Sequence, residues 1–104
     1  MTKRPRKERR VSEREQVKLT ETRRKLHALE PGGSEDHPVE VVSSSVIEPH
    51  ARGLACARCG PELRIVDQAA FVKGAHVRRR VTLRCARCGD ARVAHYVIVQ
   101  PLLQ

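Results

Sequence analysis

The clearest periodicity in the chain lies in the run HVRRRVTLR at residues 76–84. Val77, Val81 and Leu83 fall on one side, with Arg79 interrupting, while His76, Arg78, Arg80, Thr82 and Arg84 fall on the other. Alternation with a period of two marks a strand with one packed face and one open face. Shorter runs surround it. Leu63 to Val66 is apolar-rich, Ala69 to Lys73 continues it, and Gly74-Ala75 offers the turn into the alternating strand. Ala91 to Val99 is the next strand, closed by Pro101. Together these runs predict a small antiparallel sheet of three strands.

The first half of the chain follows other rules. Helix formers dominate residues 13–29, and Pro31-Gly32-Gly33 stops them. Ser12 and Glu15 have the spacing of a capping box, which predicts a helix from about Glu13 to Leu29 behind a disordered basic arm at residues 1–10. Of the apolar positions Val17, Leu19, Leu26 and Leu29, Leu26 and Leu29 share a face, Leu19 sits seven residues before Leu26, and Val17 does not join them; the stripe is too thin to fold alone. Residues 31–50 hold three Pro, two Gly and four Ser, and Pro38 and Pro49 bracket the strand-forming stretch VEVVSSSVI. They read as a flexible linker. The expected organisation is therefore a basic arm and helix at 1–30, an acidic linker at 31–53 and a β domain at 54–104.

Composition makes that β domain problematic. The chain has one Phe, one Tyr, one Met and no Trp, and aromatics supply much of the buried area of small cores. A domain this poor in them needs a staple, either disulfides or a metal. All four cysteines lie in two copies of one motif, CARCG at 56–60 and CARCG at 85–89. A pair at Cys-x-x-Cys spacing can grip one ion from a tight turn, with backbone N–H groups aimed at the sulfurs. Gly60 and Gly89 supply the positive φ that a chain reversing after its ligand requires. Cys56, Cys59, Cys85 and Cys88 thus offer a closed tetrahedral set for one structural Zn2+.

The doubled CARCG knuckle, with a strand-turn-strand between copies and a strand after, resembles the zinc ribbon family over residues 54–100. The resemblance implies a small metal-stabilised β fold: two knuckles and a three-stranded antiparallel sheet, here preceded by a helix and a linker. The 25 residues between the pairs exceed the roughly 15–20 of the usual spacing, which a longer first hairpin absorbs. Competing readings are disulfides, a rubredoxin-like iron site and a redox-active pair. The absence of an export signal, of aromatics around the site and of a βαβ context, in turn, weigh against them. A closed set leaves no place for substrate, and no other catalytic constellation is visible, so an enzyme is not expected.

Charge then directs the functional reading. Lys and Arg number 21 against 12 acids, a net charge of +9. Residues 1–30 and 56–104 each carry +6, and residues 31–55 carry −3. Arg78, Arg80 and Arg84 form a cationic row on the alternating strand. Arg58 and Arg87 in the knuckles, and Arg92 on the last strand, extend it. Such a row holds phosphates through charge and bidentate hydrogen bonds, with little base readout where stacking aromatics are scarce. The resemblance adds that zinc ribbons serve transcription, translation and DNA processing. The first expectation is an accessory nucleic-acid-binding protein; the second is an adaptor docking on a larger protein complex. The hairpin tip, Lys73-Gly74-Ala75-His76, lacks the acidic pair carried by elongation-factor ribbons that assist the polymerase. With no membrane-length apolar run and no apolar segment behind the basic start, a cytoplasmic location, nucleoid or nucleus included, is expected, without membrane or small-molecule substrate.

Overall fold

A computed structural model of the chain describes residues 6–60 and 63–99. In chain order its elements are helix α1 (Arg6–Leu29), strand β1 (Val39–Val41), a 3-10 turn (Ser44–Val46), helix α2 (Ile47–Arg52) and strands β2 (Leu63–Lys73), β3 (His76–Cys85) and β4 (Ala91–Ile98). The strands form one sheet in the order β1-β4-β3-β2. β2, β3 and β4 pair antiparallel, as the sequence suggests. The expected three-stranded sheet is nevertheless a four-stranded mixed one, because β1 adds in parallel to β4 with Val39 beside Tyr96 and Val41 beside Ile98.

That fourth strand overturns the expectation of a flexible linker. Pro38 sits just before β1, where a missing N–H costs the ladder nothing. Pro49 sits in the first turn of α2, where a helix tolerates it. Neither residue blocks structure at its position. α2 lays Ile47 and Ala51 on the inner face of the sheet, both with no exposed surface. Around them close Val41, Leu63, Val81, Leu83, Ala94 and Tyr96, together with Cys56 and Cys85. Tyr96 is buried, and its hydroxyl is satisfied by Nδ1 of His50 at 2.8 Å. Burial pushes its pKa up to about 12. The segment thus supplies the lid that a three-stranded sheet would lack.

The helix also departs from its expected start. It runs from Arg6, so Ser12 lies inside it and is no cap; the residues before Ser12 are themselves good helix formers. The part of the expected basic arm at residues 1–5 lies outside the described residues. At the other end, Gly33 allows the chain to fold back under the helix, since a Cβ there would collide with the carbonyl oxygen of His27. Val17, Leu19, Leu26 and Leu29 remain largely exposed. α1 is held by polar contacts near its C-terminal end: Arg23 donates to the carbonyl of Ala57 at 3.3 Å, and Arg24 pairs with Asp90 at 2.9 Å.

Ile47→Ala should destabilise the fold by about 2–4 kcal/mol through lost burial and the cavity left behind. Chemical denaturation of the metal-loaded protein measures this; a cost near zero would restore residues 31–53 to the status of linker.

Candidate metal centre and cationic sheet face

The two knuckles are built alike. In the first, Cys56 N–H donates to the carbonyl of Gly60 at 2.6 Å, and Gly60 N–H returns to Cys56 at 3.0 Å. In the second, Gly89 N–H donates to Cys85 at 3.0 Å, and Cys85 N–H donates to Asp90 at 2.9 Å. Gly60 and Gly89 have φ of 86° and 74°. The register places Leu63 opposite Cys85, so the start of β2 and the end of β3 bring both turns to one end of the sheet.

There the four sulfurs of Cys56, Cys59, Cys85 and Cys88 lie within 4.8 Å of one another, with 3.6 Å between Cys56 and Cys88. A tetrahedron with metal–sulfur bonds of about 2.3 Å has edges of about 3.8 Å, so the cluster has the dimensions of a four-thiolate metal site. All four are free thiols, with Cys56 and Cys85 buried. Backbone N–H groups approach the sulfurs, Arg58 N to Cys56 and Asp90 N to Cys88, each at 3.4 Å. The four sequence-predicted ligands therefore meet at one point, and the donor set fits a thiophilic metal ion.

The electrostatics of the metal-free cluster point the same way. The N–H groups of Cys88 and Arg87 draw the pKa of Cys85 down to about 7. Hydrogen bonding to the Cys88 sulfur and burial push Cys59 up to about 12. Burial raises Cys56 as well. Cys85 is thus readily a thiolate while Cys56 and Cys59 resist ionising, which is the behaviour of anions crowded without a counter-charge. A divalent cation supplies that charge.

The sheet's outer face carries the predicted cations. Arg78, Arg80 and Arg84 share it, as their alternation on β3 requires. Opposite them on β2 stand Phe71, Ala69 and Arg64, and on β4 stand Val97, His95 and Ala91. Arg64 was not apparent from the sequence, where Leu63 to Val66 reads simply as apolar. A register shift between Ile65 and Asp67 places it directly across from Arg84. Like charges paired across strands oppose folding. Yet Arg64, Arg80 and Arg84 are exposed and form no ion pair among the described residues, although Asp67 shares their face. Arg84 donates to the carbonyl of Gly89 at 2.9 Å.

Other predicted members of the row stand differently. Arg92 pairs with Leu83 on the core side, where it is half-buried and donates to the Ala55 carbonyl at 2.7 Å, so it does not extend the row. Arg58 lines a groove against α1 with Val17, Leu19 and Arg23. Arg87 is exposed in the second knuckle. Arg78 is half-buried and already donates to the carbonyl of Glu35 at 2.8 Å.

No family model, curated protein or solved structure matches the chain. The chemistry of the residues thus carries the functional reading, together with one exclusion: no helix among the described residues is long and apolar enough to cross a membrane.

Metal binding should release protons. Cys59 keeps its proton to about 12 in the metal-free protein, so it is protonated at neutral pH and must lose that proton to ligate. Affinity should therefore rise with pH and fall by an order of magnitude or more for each unit below neutrality. Titration with Co2+ in weak buffer, following thiolate absorption and released acid together, measures this; binding that does not change between pH 8 and pH 6 would contradict it.

Proposed function

We propose that this protein is a nucleic-acid-binding module folded around one structural Zn2+ and gripping phosphates through the open face of its sheet. The observation that carries the reading is the set Arg64, Arg80 and Arg84: exposed, without acidic partners among the described residues, and fixed on strands whose other face is the core. Unpaired cations that crowd across strands are stabilised by an external polyanion. Zinc is the favoured metal because four thiolates close a tetrahedral site with no redox or geometric demand. The site leaves no coordination position for substrate, and its role is to fold the chain; such sites contribute roughly 10–16 kcal/mol in small zinc-dependent domains. The ion would hold the knuckles, and the knuckles would hold Arg84 and Arg64 in place. Backbone contact with little base readout follows from Phe71 standing as the one Phe, Tyr or Trp on that face among the described residues. The module would serve as an accessory factor in transcription, translation or DNA processing.

One observation favours the adaptor reading: Leu19, Leu26 and Leu29 on α1 are 49–75% exposed, an apolar stripe left open among the described residues.

Binding of the zinc-loaded protein to single-stranded and duplex oligonucleotides should weaken steeply with salt. Replacing both Arg80 and Arg84 by Ala should lower the salt slope by about 2 and leave zinc stoichiometry unchanged. An unchanged slope would remove the strand face from the interface. Absence of binding at low salt would leave the helix stripe, and a protein partner, as the functional surface.

A further inference from the structure

The outer face of the sheet is not uniform along its length. At the knuckle end, Arg64 and Arg84 oppose one another in the open, with Arg80 further along β3. At the hairpin end, the loop between α1 and β1 lies against the strands. Glu35 is its point of contact. Its carboxylate Oε1 accepts from Nζ of Lys73 at 2.9 Å, and its carbonyl accepts from Nη1 of Arg78 at 2.8 Å. The Nε of the same arginine is buried without a hydrogen-bond partner. The loop is seated by main-chain bonds, from Gly32 N–H to His37 at 2.7 Å and from His95 N–H to Gly32 at 2.8 Å. Lys73 chiefly, then Arg78 and His95, hold the Glu35 carboxyl below its usual range.

The carboxylate of Glu35 thus gives Lys73 what a phosphate would give it: a negative oxygen at hydrogen-bond distance. The contact is an ion pair half open to solvent, a kind that contributes little and is readily displaced. The acidic charge of residues 31–55, which the sequence assigned to a spacer, is here placed on the cationic strip itself. Building on the phosphate reading above, we infer that Glu35 is an internal competitor for the nucleic-acid site: it occupies Lys73 and Arg78, and confines the available phosphate contacts to Arg64, Arg80 and Arg84. Nucleic acid that runs the full length of β3 must first displace it. The loop's acidic partner class and the external ligand's are the same chemistry, an anionic oxygen, so the two exclude one another.

A double-mutant cycle tests the competition. The probe is a single-stranded oligonucleotide of about 20 nucleotides, titrated with zinc-loaded protein over a salt series. Glu35→Gln keeps the carbonyl that anchors Arg78 and removes the charge. It should raise affinity on the order of five-fold at low salt and steepen the salt slope by about 1. Lys73→Ala alone should change affinity by less than about two-fold, because Lys73 is already neutralised; in the Glu35→Gln background it should abolish the gain. Asp36→Asn is the control for net charge, since Asp36 makes no ion pair among the described residues, and it should give a clearly smaller gain. Equal gains from Glu35→Gln and Asp36→Asn, or equal losses from Lys73→Ala in both backgrounds, would overturn the competitor role while leaving the phosphate reading intact. No binding by any of these proteins would overturn both.

Discussion

Four sulfur atoms within 4.8 Å of one another cannot all be thiolates unless a cation lies between them. Much of the rest of the molecule is arranged around that constraint. The core is small, and Cys56 and Cys85 are themselves part of it. β2 starts at Leu63 and β3 ends at Cys85, and their register is fixed by the knuckles at one end and by the Gly74 turn at the other. α1 reaches the body through Arg23 on the Ala57 carbonyl and Arg24 on Asp90, both in or beside a knuckle. Losing the counter-charge would therefore loosen the sheet end and the helix anchor together.

The constraint also explains how the two faces of one sheet can differ so sharply. The inner face gathers Val81, Leu83, Ala94 and Tyr96 under α2. The outer face holds like charges across strands, an arrangement that costs stability. A chain with so few aromatics could not sustain that cost on burial alone. A metal held by the four thiolates would relieve the core of that task. The α1–β1 loop then divides the outer face, with its carboxylate at the hairpin end and open arginines at the knuckle end.

What the sequence disclosed follows a physical rule. The metal cluster was legible because its signals are local: a three-residue step, a following glycine, and a repeat. β3 was legible because alternation is written residue by residue, and it correctly put Arg78, Arg80 and Arg84 on one face. β1 left no such trace. Its three residues pair in parallel with a strand more than fifty positions away, and no local pattern reports that pairing. α2 was obscured by Pro49, which reads as a breaker but sits where a first turn accepts it. Arg64 was hidden by the bulge that follows it, since one extra residue reassigns which side chains share a face. Ser12 carried a cap signal that the helix overran from Arg6.

The most direct test of this account is an amide NMR spectrum of the zinc-loaded protein, recorded again after a strong chelator has removed the metal. If the four-thiolate centre organises the fold, the dispersed resonances of β2, β3 and β4 collapse together with those of β1 and α2, and return when Zn2+ is restored. A metal-free spectrum that keeps native dispersion in the sheet would contradict it, and would place the stability of the fold in the core of Ile47, Val81, Leu83 and Tyr96 instead.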